Sequence, residues 1–233
     1  ENVAEQFDVS REDQDELAMI SHQRAVAAIG NGKFESQITD IEVPQRRSDP
    51  IIVSIDEGPR ADTTVESLSN LRPVFKKNGT VTAGNASSIN DGAAMVILMS
   101  EEKARSLGIN PKMKWHTRGA AGVEPAIMGT GPVPAVNKAI HKAGMNISDI
   151  DVIELNEAFA SQALYCIREL GLDMDKTNVN GSGISLGHPV GATGAIMTVK
   201  IMEEMEQSDM NLGLVTMCVG GGQGIATIFE RVN

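Results

Sequence analysis

Aromatic side chains are scarce in this chain: one Trp, one Tyr and five Phe make up 3% of it. A core without them has to be built from Val, Ile, Leu, Met and Ala, and the 12 Met and 23 Gly add adaptable packing and tight turns. Cysteine is nearly missing as well. Cys166 and Cys218 are the only two and stand far apart, which excludes a disulfide framework and points to a reducing, cytoplasmic compartment. Positive charge is outnumbered, with 20 Lys and Arg against 31 Asp and Glu and a net charge of −11. That balance argues against nucleic acid or an anionic membrane as partner, because both require basic patches. No apolar run reaches membrane-spanning length; Ala93–Met99 is far too short. The opening Glu-Asn-Val-Ala-Glu-Gln holds neither an initiator Met nor a signal peptide, so residue 1 is expected not to be the natural start.

What is present suffices for one large domain or two small ones: 233 residues, 41% of them hydrophobic. Ser10 followed by Asp13 is a helix start, and Leu17, Ile20, Arg24 and Ala27 follow at helical spacing as far as Gly30. The proline-broken, charged stretch 38–80 reads as loops and short pieces lying over something else. Ala93–Met99 is predicted as a buried strand, and Ser100 caps a short helix ending at Gly108. Strands are then predicted at Lys114–Arg118, Val152–Leu155, ending at Asn178–Asn180, Leu212–Cys218 and Ile225–Phe229. Helices are predicted between them at Val133–Ala143, Phe159–Leu170 and Gly191–Met205. The order βαβαβαββ implies an α/β fold with a mostly parallel sheet covered by helices and closed by an antiparallel hairpin.

In such sheets chemistry collects at the C-terminal ends of the strands. Three polar or glycine-rich clusters fall there. Gly187-His188-Pro189-Val190-Gly191-Ala192-Thr193-Gly194 sets an imidazole at the start of a helix, whose N-terminus would lower its pKa and favour the neutral ring. A neutral His accepts a thiol proton or donates to an oxyanion; the plainer reading is a His satisfying a turn. Cys218-Val219-Gly220-Gly221-Gly222-Gln223-Gly224 places a thiol beside unencumbered backbone N–H groups able to form an oxyanion hole. The plainer reading here is a buried structural Cys before a hairpin. Asn156-Glu157-Ala158-Phe159-Ala160 offers an Asn that holds a water or merely caps the next helix, and a Glu that acts as acid–base or support. Cys166, inside an amphipathic helix, reads as core.

Arg60, Arg72, Lys76 and Lys77 form a local basic cluster suited to phosphates, although each alone is an ordinary surface residue. Two further patterns are weak. Gly181-Ser-Gly183-Ile-Ser-Leu-Gly187 has its third glycine one position late for a dinucleotide fingerprint, with His188-Pro189 where phosphates would dock. His22, His116 and His141 lack metal-ligand spacing.

Together the three clusters resemble the thiolases. Asn156–Ala160 matches that family's Asn-Glu-Ala-Phe-Ala, Gly187–Gly194 its Gly-His-Pro-x-Gly-Ala-(Ser/Thr)-Gly, and Cys218–Gly224 its Cys-(Ile/Val)-Gly-Gly-Gly-Gln-Gly. Gly79–Ala94 and the opening six residues also resemble family sequence, in family order. The resemblance implies a thiolase-like fold of two stacked halves. Residues 1–88 would be most of the α-rich loop domain, 89–110 the closing strand and helix of the first half, and 111–233 a complete second half with a mixed five-stranded sheet.

The resemblance also implies chemistry. The enzyme would be an acetyl-CoA C-acetyltransferase that condenses two acetyl-CoA to acetoacetyl-CoA, or reverses this by thiolysis. No metal or redox cofactor is implied, since coenzyme A thioesters are the substrates. His188 would activate a nucleophilic Cys that lies in the family's first half, absent from these residues, and Asn156 would fix a water that completes an oxyanion hole with His188. Cys218 would be the acid–base, a role suited to a thiol of depressed pKa, and the Gly220 N–H would serve a second hole. Arg60, Phe75, Ala83, Ser87 and Ile89 would line the coenzyme A site, and Met128 and Phe159 the acyl pocket, Met128 indicating the short-chain type. Family members form dimers or tetramers, and the missing N-terminal segment is expected as a partner.

Three alternatives stand beside this one. The first is a medium- or long-chain 3-ketoacyl-CoA thiolase of fatty-acid degradation, against which Met128 argues. A ketoacyl synthase of the same fold would lack an acid–base Cys near the C-terminus, so Cys218 argues against it. A fragment that binds coenzyme A without turnover would describe these 233 residues taken alone.

Overall fold

The computed structural model describes residues 1–232. Two helices open the chain, α1 (Asn2–Gln6) and α2 (Arg11–Gly30), and the Ser10 hydroxyl accepts from the Asp13 N–H at 3.1 Å as the cap of α2. A short antiparallel hairpin follows, β1 (Ile41–Val43) and β2 (Ile51–Val53), exposed along its whole length. Next come α3 (Val65–Ser69) and α4 (Glu101–Leu107), the latter capped by Ser100 and ended by a left-handed Gly108 as predicted. The remainder is β3 (Met113–Gly122), α5 (Pro132–Ala143), β4 (Val152–Leu155), α6 (Ala160–Leu170), α7 (Gly183–Leu186), α8 (Thr193–Gln207), β5 (Leu212–Val219) and β6 (Gln223–Arg231).

Four of these strands form one sheet in the order β3-β6-β5-β4. β4 and β5 run parallel, while β6 is antiparallel to both of its neighbours, so the sheet is mixed rather than mostly parallel. Alternation along the strands sends residues to two cores. Ile153, Leu155, Leu214, Ala226 and Ile228 meet α5 and α6 on one face. Val152, Val215 and Phe229 meet Met197, Ile201 and Met205 of α8 on the other. On the outer edge of the sheet, Lys138 and Lys142 of α5 donate to the carbonyls of Ala120 and Arg118 at 3.1 and 3.2 Å. Ammonium groups thereby block carbonyls that another strand could otherwise pair with.

Two predicted strands differ. The expected fifth strand ending at Asn178–Asn180 is reduced to a single parallel bridge, Ile153 to Thr177. The reason is Asn178, whose φ of +51° turns the chain away. Its side-chain amide takes over the ladder instead, donating to the Leu155 carbonyl at 2.8 Å and accepting the Leu155 N–H at 2.9 Å. The other is Ala93–Met99, which forms no strand. Met95, Ile97 and Leu98 are 84, 79 and 83% exposed. An apolar run becomes a strand only where a neighbour accepts its backbone hydrogen bonds, and none of the described strands lies beside it.

Candidate active site

β4 ends at Leu155, and the Asn156 N–H continues the parallel ladder by donating to the Thr216 carbonyl of β5 at 3.0 Å. Asn156 is therefore fixed at the C-terminal edge of the sheet, two positions from the end of the Cys218 strand. His188 reaches the same edge from the loop before α8. The Asn156 Nδ2 lies 3.4 Å from both ring nitrogens of His188. The Asn156 Oδ1 is buried and accepts no hydrogen bond from the described residues. A Cβ on Gly183 would lie 2.7 Å from that oxygen, so glycine is what leaves room around it. An uncommitted buried acceptor beside an imidazole suits a bound water or a substrate donor.

The tautomer of His188 follows from Thr193, a residue the sequence reading passed over although it lies within the quoted motif. The Thr193 hydroxyl donates its one proton to the Pro189 carbonyl at 2.9 Å. Its contact with His188 Nδ1 at 2.7 Å must then be accepted from Nδ1–H. In the neutral ring Nε2 is then the unprotonated nitrogen, with Asn156 Nδ2 3.4 Å from it. Burial pushes the His188 pKa below its ordinary value. The expected lowering is present, although its cause is desolvation, and α8 begins at Thr193, two residues later than predicted.

Cys218 is the penultimate residue of β5, buried and free. Burial pushes its thiol up, opposite to the expected depression. No side chain offsets the desolvation; the one opposing influence is a backbone hydrogen bond. The thiol therefore stays protonated at neutral pH. Gly220 follows just past the last ladder pair, Val219–Gln223, in open space where even a Cβ would meet nothing within 4 Å. Cys166 is core, as predicted. It is fully buried in α6, its sulfur lies 3.4 Å from the Gly129 carbonyl, and burial pushes its pKa strongly upward.

The predicted ligand-lining residues divide into two groups. Ser87 is stitched beside the Asn156 loop: its N–H donates to the Ala158 carbonyl at 2.9 Å, and the Ala160 N–H donates to Asn85 at 2.8 Å. Phe75 and Phe159 meet edge to face with centroids 5.9 Å apart. Met128 lies half-buried on a 3₁₀ turn (Pro125–Thr130) that approaches α6 closely enough for a Cβ on Gly129 to strike Gln162. Ala83, Ile89 and Arg60 are exposed. The Arg60 backbone N–H is held by the buried His22, whose Nδ1 accepts it at 3.1 Å. Of the basic cluster, Lys76 is paired with Glu5.

Glu157 supports the site rather than facing it. It is buried, accepts from the Ser21 hydroxyl at 2.6 Å and from Asn178 Nδ2 at 2.9 Å, and burial raises its pKa. These bonds join α2 to the loop carrying Asn156. Below it the buried Lys200 pairs with Glu154 at 2.8 Å and donates to the Gly181 carbonyl at 2.6 Å. Neither this pair nor Ser21 was singled out in the sequence, because nothing local marks a charge on α8 as buried.

Two family models match the chain. The thiolase N-terminal domain matches residues 1–102 and the thiolase C-terminal domain residues 109–231. An acetyl-CoA acetyltransferase of Pseudomonas aeruginosa is 52% identical over 231 residues, 99% of this chain and 59% of that protein. The beta-ketothiolase BktB of Cupriavidus necator is 53% identical over 233 residues, all of this chain and 59% of that one. Among solved structures, the Bacillus anthracis acetyl-CoA acetyltransferase superposes with a TM-score of 0.97 at 48% identity, and human mitochondrial 3-ketoacyl-CoA thiolase with 0.93 at 41%. Each comparison covers 99% of this chain and 58% of the structure's chain, so the 233 residues span about three-fifths of the length of their relatives. With the strand-end Asn, His and Cys in place and both family models matched along nearly the whole length, the chain belongs to the thiolase family.

Proposed function

We propose that these residues carry the greater part of a thiolase site working on short-chain acyl-CoA: condensation of two acetyl-CoA to acetoacetyl-CoA, and its reversal. The observation that carries this reading is the pairing of His188, protonated at Nδ1, with Asn156 and its uncommitted oxygen at the sheet edge where β5 ends one residue past Cys218. Three of the relatives bear the name acetyl-CoA acetyltransferase, which favours the short-chain substrate over a long-chain one.

In thiolysis, His188 Nε2 takes the proton of a nucleophilic thiol, and the thiolate attacks the ketone carbon of acetoacetyl-CoA. The Gly220 N–H serves the hole at the oxyanion of the attacked carbon, while a water held by Asn156 Oδ1 and the His188 Nε2–H then formed donate to the thioester oxygen of the departing enolate. The carbon–carbon bond breaks, and the enolate of acetyl-CoA leaves and is protonated by Cys218. Coenzyme A finally gives its thiol proton to the Cys218 thiolate and takes the acetyl group as a second acetyl-CoA, while the released nucleophile recovers its proton from His188. A thiol that burial keeps protonated suits this donor step. The nucleophile is placed in the part of its relatives' length that this chain does not span, because Cys166 is walled into α6 and Cys218 is the proton donor. The 233 residues alone are accordingly inactive. Ser87, Phe75, Phe159 and Met128 would border the thioester, with Arg60, Ala83 and Ile89 on the exposed approach. The chemistry needs neither metal nor redox cofactor, since the thioester supplies its own acidity. The two free cysteines fit a cytoplasmic setting.

The test joins this chain to the preceding segment of the Bacillus anthracis enzyme and separates two half-reactions. Cys218→Ala should abolish thiolysis of acetoacetyl-CoA by about 10²–10⁴-fold yet retain exchange of label between acetyl-CoA and coenzyme A. His188→Ala should abolish both. Loss of label exchange in Cys218→Ala with retention in His188→Ala would reverse the assigned roles.

A further inference from the structure

We infer that Asn90 is a positioning residue for His188, and that the strap Asn85–Gly92 ties together the two loops that carry Asn156 and His188. The strap's first end is sewn to the Asn156 loop by the Ser87–Ala158 and Ala160–Asn85 backbone bonds and the Ala86–Phe159 bridge. Its second end reaches the other loop through one side chain. The Asn90 Oδ1 accepts the His188 N–H at 3.1 Å and the Ser88 hydroxyl at 2.8 Å.

The His188 loop is shaped to receive this amide. Gly187 has φ +94°, and a Cβ there would come within 2.6 Å of the Asn90 Cγ, so the side chain of Asn90 fills the space a residue at 187 would need. Two residues further along, a Cβ on Gly92 would meet the Pro189 ring at 2.7 Å. Each of the two segments thus presents a glycine where the other presents bulk. Thr193 fixes the ring of His188 from the helix side, and Asn90 fixes its backbone from the strap side. With both ends held, the imidazole has one placement against Asn156. Ser87 and Ile89 flank this clamp, so a thioester lying along the strap would share the segment that holds the base.

The inference rests on His188 being the base, but its test reads structure and not turnover, so failure of one leaves the other standing. The 233-residue chain, labelled with ¹⁵N, is compared with Asn90→Ala, Asn90→Asp and Asn90→Leu. His188 is assigned by the spectrum of His188→Asn. In the parent, the His188 amide should exchange with solvent slowly, and Nδ1 should be the protonated ring nitrogen. Asn90→Ala should speed that amide exchange about tenfold or more and shift the ring signals toward a mixture of tautomers. Asn90→Asp keeps the acceptor oxygen and should restore slow exchange, whereas Asn90→Leu, which fills the space without an acceptor, should exchange as fast as Asn90→Ala. A His188 amide that exchanges in the parent as fast as an exposed loop amide would overturn the proposal whatever the variants do. So would unchanged exchange and ring signals in Asn90→Ala.

Discussion

Leu212–Val219 and Ala93–Met99 are two apolar runs with the same look in the sequence and opposite outcomes in the fold. The first is β5, paired on one side with β4 and on the other with β6, with Leu214 and Val215 buried on opposite faces. The second has no ladder partner among the described residues and leaves Met95, Ile97 and Leu98 in contact with solvent. Composition is not what separates them. A strand needs neighbours for its backbone before burial of its side chains can stabilise it. The chain spans about three-fifths of its relatives' length.

The comparison can be broken from the side of β4 and β5. Lys200→Met removes the cation that faces the buried Glu154 and should destabilise the chain by about 3–5 kcal/mol, read from urea unfolding. A near-neutral effect would mean Glu154 is protonated and the pair contributes little. Leu214→Ala opens a cavity between α5 and the sheet and should cost about 2–5 kcal/mol, while Leu98→Ala in the exposed run should stay within about 0.5 kcal/mol. Equal costs for the two leucines would refute the contrast directly.

A smaller effect concerns α2. His22 is half-desolvated, its pKa pulled down first by burial and then by the Arg60 charge, against an opposing pull from Asp62. The unfolded chain therefore takes this proton first as pH falls below about 6.5, so the His22 share of stability is present above that pH and is lost on acidification. His22→Asn, which can still accept the Arg60 N–H, should flatten that part of the pH dependence. An unfolding midpoint that falls with acid as steeply in the variant as in the parent would show that other groups cause it.

Much of this was legible in the sequence, and the boundary is physical. Helix α2 was readable from its Ser10 cap and Gly30 stop, and β4 from four apolar-rich residues between turn signals, because those signals are local. His188 and Cys218 were readable from the glycines beside them, and Asn156 from its place just past the predicted strand Val152–Leu155. The fate of Ala93–Met99 was not, since it depends on partners far away. Nor was the shortened fifth strand, where one Asn178 side chain replaces a backbone pairing. The direction of the Cys218 shift was missed for the same reason: the motif shows a thiol near glycines, and only the fold shows that it is buried without a cation. Asn90 and Thr193 lay inside quoted motifs, but their partners are set by the meeting of two loops.

The most direct measurement is thiolysis of acetoacetyl-CoA by the 233-residue chain, alone and after addition of the segment that precedes it in the Bacillus anthracis enzyme. No turnover alone and turnover on addition is the predicted result, with His188, Asn156 and Cys218 as one part of a shared site. Turnover by the chain alone would make Cys166 or Cys218 the nucleophile and contradict the mechanism.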